Sequence, residues 1–181
     1  TPEQKVIAEY WADGPNSELP PGHWTEFAAF VAERDNLDLN QSVKLYFALA
    51  NAIFDASIAT WDAKRAFDYV RPVTAIRHLF RGKRIQGWAG AGNGTQEILG
   101  ENWKPFQVPT FPTPPFSEFT SGHSGFSMAA ATVLKQFTGS DRFGFFYSQD
   151  VPLKADPTEP VTDVVLNWPT FTAAAQQAGE S

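Results

Sequence analysis

The chain contains no cysteine, so neither disulfides nor thiolate metal sites are open to it. The same absence suits an enzyme that works among oxidants. Positive charge is scarce as well: 14 Lys and Arg face 20 Asp and Glu, for a net charge of −6. That balance argues against nucleic acid as a partner and leaves no polybasic patch for a membrane surface. No apolar run of membrane-spanning length is free of charges. There is no signal peptide and no internal repeat. Thr1 reads as an internal start, which leaves open a processed leader and a secreted or periplasmic location for a soluble chain. What is present is 181 residues, 43% of them hydrophobic, enough for one domain with a real core. The composition is compatible with a homo-oligomer and does not demand one.

The apolar spacing is helical over most of the chain. Thr1-Pro2-Glu3-Gln4 reads as an N-cap, an N1 proline and a capping-box glutamine, with Val6, Ile7, Tyr10 and Trp11 on one face. Asp13-Gly14-Pro15-Asn16 stops that helix, and a loop through Leu19, His23 and Trp24 follows. A lone histidine in such a loop reads as structural or solvated. Thr25 to Arg34 is predicted helical, with Phe27, Ala28, Val31 and Ala32 inward. Asp38 or Asn40 caps the longest helix, about Gln41 to Phe67, which is apolar on nearly every side and is expected to be buried against several neighbours. Its alanines 48, 52, 56, 59 and 63 form a seam for close helix approach, while Asp55 and Asp62 read as exposed.

Arg71-Pro72 breaks that helix and starts a shorter one, on which Arg77 and His78 read as a solvated pair. From Arg81 to Thr120 the chain is Gly- and Pro-rich with little periodicity, a loop whose length points to function. Its stretch Ala89 to Gly94 reads as flexible, and Trp88, Trp103, Phe106, Phe111 and Phe116 pin the remainder to the bundle. Phe126, Ala129, Ala130, Val133, Leu134 and Phe137 recur at helical spacing up to Gly139. Beyond it, Phe143, Phe145 and Phe146 have no clear period. Asp156 to Pro160 is a turn, Val161 to Leu166 a short strand, and Asn167 and Pro169 start a last helix that closes at Gly179. The whole reads as an all-α bundle with one long functional loop.

Two clusters carry chemistry. Ser121-Gly122-His123 opens the Phe126–Phe137 helix, where backbone N–H groups are free and the macrodipole favours an anion. Ser121 adds a hydroxyl donor, Gly122 has no Cβ to keep a ligand off the backbone, and His123 can exchange a proton near neutral pH. A capped helix with a surface histidine satisfies the same pattern. Upstream, Lys64, six intervening residues, and Arg71-Pro72 place a compact cation and a planar guanidinium fork on either side of a helix break. Cations that merely complement a helix C-terminus satisfy that pattern equally.

Taken together and in this order, K-x6-R-P followed by S-G-H resembles the first two signatures of the vanadium-dependent haloperoxidases and the type 2 phosphatidic acid phosphatases. Trp61, three before Lys64, and Phe116, seven before His123, match the aromatic positions of the chloroperoxidase-type branch. The run P-P-F-S-E-F-T-S-G-H-S is similar to that branch's P-P-F-P-x-Y-P-S-G-H-S, with Thr120 in place of a proline. The third signature, S-R-x5-H-x3-D, is absent, and Ala178 to Ser181 stand where it would begin.

The resemblance implies a single helical domain over 1–181, an all-α bundle of the vanadium haloperoxidase and acid phosphatase type. It implies that the domain is C-terminally incomplete, with the direct vanadium ligand, a histidine, beyond Ser181 and no metal ligand within this chain. Vanadate, whose place phosphate or sulfate can take, is held by Lys64, Arg71, Ser121, Gly122 and His123. Hydrogen peroxide and halide are the substrates, His123 and Lys64 are catalytic, and Trp61 and Phe116 line the halide pocket. Lys64, Arg71 and His123 are expected to converge on one cavity. Phosphomonoester hydrolysis by the same cage is the alternative activity. A non-catalytic oxyanion-binding or structural fragment is the alternative of another class, and a separate chain carrying the third signature is a candidate partner.

Overall fold

The computed structural model describes residues 1–14, 17–158 and 163–181. Six helices carry the fold. They are α1 (Pro2–Tyr10), α2 (Leu19–Arg34), α3 (Leu39–Phe67), α4 (Pro72–Leu79), α5 (Gly122–Thr138) and α6 (Phe171–Glu180). The helix starts are written locally. Thr1 and Asp38 each cap with a full capping box, through Gln4 and Gln41, and Pro2 and Pro72 occupy first turns where no N–H is needed. Arg71 sits before Pro72 in extended backbone (φ −69°, ψ 146°), as a residue preceding proline must. Gly139 ends α5 in the left-handed region (φ 70°).

The protein is not all-α. Two antiparallel pairs interrupt the helices: β1 (Arg84–Trp88) with β2 (Thr95–Leu99), and β3 (Arg142–Gln149) with β4 (Val164–Thr170). The first pair lies inside the stretch read as an aperiodic loop. Its turn, Ala89 to Gly94, is a tight hairpin connection in which Gly90, Gly92 and Gly94 all take positive φ. The Gly92 amide donates to Asp156 Oδ1 (2.8 Å), which fixes a segment expected to be flexible. The second pair absorbs Phe143 and Phe145. Their register slips between Arg142 and Phe145, yet burial still alternates along the strand, and the sequence conceals this because Phe146 puts an aromatic on the outward face as well. β4 begins at Val164 and runs through Asn167 and Pro169, so α6 starts later than expected, at Phe171. Val161 and Thr162, part of the expected strand, lie outside the described residues, as do Pro15, Asn16, Glu159 and Pro160 of the expected turns. At the other end of the chain, α2 starts at Leu19, so His23 and Trp24 are helical and buried.

The core forms where α1, α2, α5 and α6 meet the β3–β4 ribbon. Trp11, Trp24, Phe27, Phe143, Trp168 and Phe171 are fully buried there, joined by Leu45 and Leu49 of α3. Phe27 packs edge-on against Phe143 (ring centroids 4.9 Å), which in turn meets Phe171 (4.8 Å). The indole N–H groups find partners inside the core: Trp24 donates to Ser127 Oγ (2.9 Å) and Trp168 to Gln177 Oε1 (3.0 Å).

α3 departs from its expected burial. Only Leu45, Leu49, Ile53, Thr60 and Lys64 are buried, while Val43, Phe47, Phe54, Ile58 and Trp61 are exposed along the opposite face. By length and composition alone, the stretch Leu39–Leu79 is long and apolar enough to cross a membrane, unlike the sequence expectation. At about 1.5 Å per residue α3 spans roughly 43 Å, and α5 lies against it. The two helices run close at Gly125, where an added Cβ would come within 2.7 Å of Thr60 Oγ1. Replacing Gly125 by Val should therefore cost about 1–3 kcal/mol by overpacking, read as a lower denaturant midpoint at unchanged slope. Thr60→Ala in the same chain should return part of that loss.

Candidate active site

One turn beyond Thr60, α3 presents Lys64 to the segment that leads into α5. Lys64 is 5% exposed, and its Nζ donates to the carbonyls of Ser117 (2.7 Å) and Glu118 (3.0 Å). The two segments are laced by their backbones. The Tyr69 amide donates to Ser117 Oγ (2.6 Å), and the Glu118 amide donates to the Tyr69 carbonyl (3.2 Å). Between them stands Phe116. Lys64 Nζ is 5.1 Å and Arg71 Cζ 5.4 Å from its ring centroid, and Trp61 meets it edge-on at 4.6 Å. Two cations thus share one aromatic ring. Burial, and then the neighbouring Arg71 charge, hold the Lys64 ammonium below its ordinary pKa. Arg71 Nε is buried with no partner among the described residues.

α5 begins beside this cluster. Ser121 caps it, its hydroxyl accepting from the Ser124 amide (3.2 Å). The amides of Gly122 and His123 have no intrahelical acceptor, as in any first turn. The last turn of α6 also arrives here, with Gly179 close enough to Ser124 that an added Cβ would lie 2.8 Å from its Oγ.

His123 is engaged by the segment that follows α1. Its Nε2 lies 2.6 Å from the Trp11 carbonyl oxygen and 2.7 Å from Asp13 Oδ2. Both neighbours are acceptors, so Nε2 carries the proton. Among the described residues no hydrogen bond or ion pair joins His123 to Lys64 or Arg71. Asp13 Oδ1 lies 3.1 Å from His23 Nδ1, so one carboxylate, 4% exposed, stands between two imidazoles. Burial alone would lower the His123 pKa, but the Asp13 contact and charge, with the Trp11 carbonyl, outweigh it and hold the imidazolium above its ordinary value. Burial likewise pushes the Asp13 carboxyl up, and the two histidines more than reverse that.

Lys64, Arg71, Trp61 and Phe116 are brought together around one ring. Ser121, Gly122 and His123 occupy the adjoining helix start. Asp13, read from the sequence only as a helix stop, is the partner of His123 and was missed. No local pattern announces a pairing between residues so far apart in the chain. Arg77 is also corrected: it is not a solvated partner of His78, since its Nε donates to the Trp103 carbonyl (2.8 Å) and ties α4 to the long connection. Asp55 and Asp62 are exposed, as read. Among the described residues no group of three or more His, Cys, Asp or Glu side chains is placed to hold a metal ion.

A family model described as the VCPO second helical-bundle domain matches residues 44–181. Among solved structures, an apo-type bacterial vanadium-dependent chloroperoxidase is similar with a TM-score of 0.82 and 25% identity over 98% of this chain. Its holo-type form gives 0.78 and 26% over 97%, and a bacterial vanadium-dependent iodoperoxidase 0.66 and 28% over 97%. The chain spans 38%, 37% and 36% of the lengths of those three. No curated protein sequence matches.

The histidine–carboxylate pair has a measurable consequence. With Asp13→Asn the raising contacts weaken and burial remains, so the His123 pKa should fall to or below the ordinary histidine value, read by NMR of the imidazole. The sign for stability follows. A raised histidine pKa stabilises the fold below the unfolded-state pKa, and that contribution fades as pH rises through the folded-state pKa. The Asp13→Asn variant should accordingly lose most stability on the acidic side of neutrality and least at alkaline pH. An unshifted His123 titration would show that Asp13 does not govern it.

Proposed function

The chain belongs to the vanadium-dependent haloperoxidase family, and on that premise we propose that its oxyanion site takes vanadate and serves halide oxidation by hydrogen peroxide. The observation that carries the reading is the pairing of Lys64 and Arg71 across the Phe116 ring, beside the first turn of α5. A buried ammonium and a half-buried guanidinium repel, and an anion bound between them would offset that repulsion. The orphaned Arg71 Nε and the acceptor-free amides of Gly122 and His123 fit a tetrahedral oxyanion, as does a glycine where the backbone must come close.

Lys64 and Arg71 hold negative charge on the oxyanion's oxygens. The Gly122 amide donates to it, and the Ser121 hydroxyl, which accepts from Ser124, keeps its own proton to donate. When bound, vanadate supplies the Lewis acid that activates hydrogen peroxide toward halide. His123 holds a proton on Nε2 between Asp13 and the Trp11 carbonyl, and it exchanges protons at the site near neutral pH. Trp61 and Phe116 wall the site and strip water from a halide that would otherwise stay solvated. The direct vanadium ligand implied by the family's third signature is not among these residues, so the cation cradle and the proton-handling pair are the parts assigned here.

Vanadate affinity and turnover test the reading together. Lys64→Ala and Arg71→Ala should each weaken vanadate binding about 10- to 100-fold, since a hydrogen bond to a charged group contributes roughly 1.5–3 kcal/mol. Halide oxidation, measured with the segment carrying the third signature supplied, should require added vanadate and fall with the same variants. Phosphomonoester turnover without halide oxidation would favour a phosphatase on the same cage, and unchanged vanadate affinity in both variants would remove the cage altogether.

A further inference from the structure

We propose that His23 is a positioning residue for His123, acting through the Asp13 carboxylate. The inference deepens the functional reading of His123 and rests on it for its catalytic meaning, though not for its geometry. Three segments supply the three groups: His23 comes from the second turn of α2, Asp13 from the connection before it, and His123 from the first turn of α5. Asp13 divides its oxygens between the two rings, Oδ2 at 2.7 Å from His123 Nε2 and Oδ1 at 3.1 Å from His23 Nδ1.

The His23 and Asp13 side chains are each 4% exposed, and a carboxylate that deep must be compensated. Because Asp13 is held below its ordinary pKa it is ionised, and the His23 nitrogen that faces it must be the one bearing a proton. His123 alone would fix only one end of the carboxylate, leaving it to rotate about its own axis. The His23 contact is a close polar contact rather than an aligned hydrogen bond, and a second N–H group against the other oxygen restrains the carboxylate and so the place at which His123 Nε2 is held.

His23 is itself immobilised. Its ring lies 4.8 Å from that of Tyr10 and 5.1 Å from that of Trp11, whose carbonyl is the other acceptor for His123. The backbone of Asp13 is held at φ 48°, a left-handed conformation uncommon outside glycine, so its surroundings over-determine where the carboxylate points. The remaining titratable groups are Tyr10 and Tyr147, in ring contact at 4.7 Å, with Glu18 and Glu26 acting on Tyr10. Of the charged side chains, Asp13 is the one in contact with His123.

A buried histidine that only filled space would affect stability and leave His123 unchanged. The proposal requires a polar N–H group at the Nδ1 position, close to Asp13 Oδ1. An asparagine amide reaches the Nδ1 position, whereas a glutamine amide reaches the Nε2 position, so His23→Asn and His23→Gln separate the two accounts with side chains of similar polarity. The measurement is the NMR titration of the His123 ring in the protein with and without each substitution, alongside the pH profile of halide oxidation by the vanadate-loaded form.

His23→Gln and His23→Phe should reduce the ratio of imidazolium to imidazole at His123 about 3- to 10-fold at a given pH, corresponding to a downward shift of roughly half to one pKa unit. The pH profile of turnover should move with it, and His23→Asn should restore most of both. If His23→Phe fails to fold, the Asn and Gln pair decides. An identical His123 titration in folded His23→Gln and in the parent overturns the proposal. Coupling seen by NMR in a parent protein that oxidises no halide even with the third-signature segment supplied supports the positioning role and overturns the functional reading instead.

Discussion

The structure turns on a single electrostatic constraint, the burial of the Lys64 ammonium at the C-terminal end of α3 next to the Arg71 guanidinium. A buried ammonium without compensation is among the costliest groups a fold can carry. Here the Ser117 and Glu118 carbonyls and the Phe116 ring provide that compensation. All three lie on the segment that enters α5. The same contacts that satisfy Lys64 therefore bring the start of α5, with its anion-favouring amides, to the two cations. The lacing of Tyr69 to Ser117 and Glu118 makes the arrangement a joint between two helix ends rather than a chance proximity of side chains. Thr60 against Gly125, one turn away, sets how closely the helices can run.

A second joint holds the histidine. α5 leans on the connection after α1 through His123, and α2 leans on it through His23, so Asp13 links the three helices at the point where proton chemistry is expected. The cation half and the histidine half share the first turn of α5, and neither makes the hydrogen bonds of the other. That division suits a site in which charge on an oxyanion and the movement of a proton must be handled by separate groups held in fixed relation. The family's solved relatives are more than twice as long as this chain, and the exposed apolar face of α3 is part of the surface this domain presents beyond its own core.

What could be read in advance divides along the range of the interactions. Capping residues, prolines and the glycine after α5 act over three or four positions, and they marked the ends of α1, α3, α4 and α5 within a residue or two. The pairing of Lys64 with Arg71 was legible because seven positions across a helix break bring two long side chains into reach. Trp61 and Phe116 were legible through the resemblance. β3 was hidden by Phe146, an aromatic on its exposed face between the inward Phe145 and Tyr147, and β1–β2 by a turn whose glycines look like flexibility until their positive φ values are seen. Asp13 and His23 were hidden for a different reason. A carboxylate before a proline and a histidine after one carry no sign of what they meet, and only the packing of α2 on α5 puts them beside His123. The burial of α3 was overestimated because an apolar face looks the same in sequence whether its own domain covers it or not.

The central claim is that Lys64, Arg71 and the first turn of α5 form one oxyanion cradle. A crystal structure of the protein grown with vanadate tests it most directly. The account predicts tetrahedral or bipyramidal oxyanion density in contact with Lys64, Arg71 and the Gly122 amide, with the Asp13–His123 contact retained beside it. Density for the anion elsewhere on the protein, with Lys64 and Arg71 untouched, would contradict it.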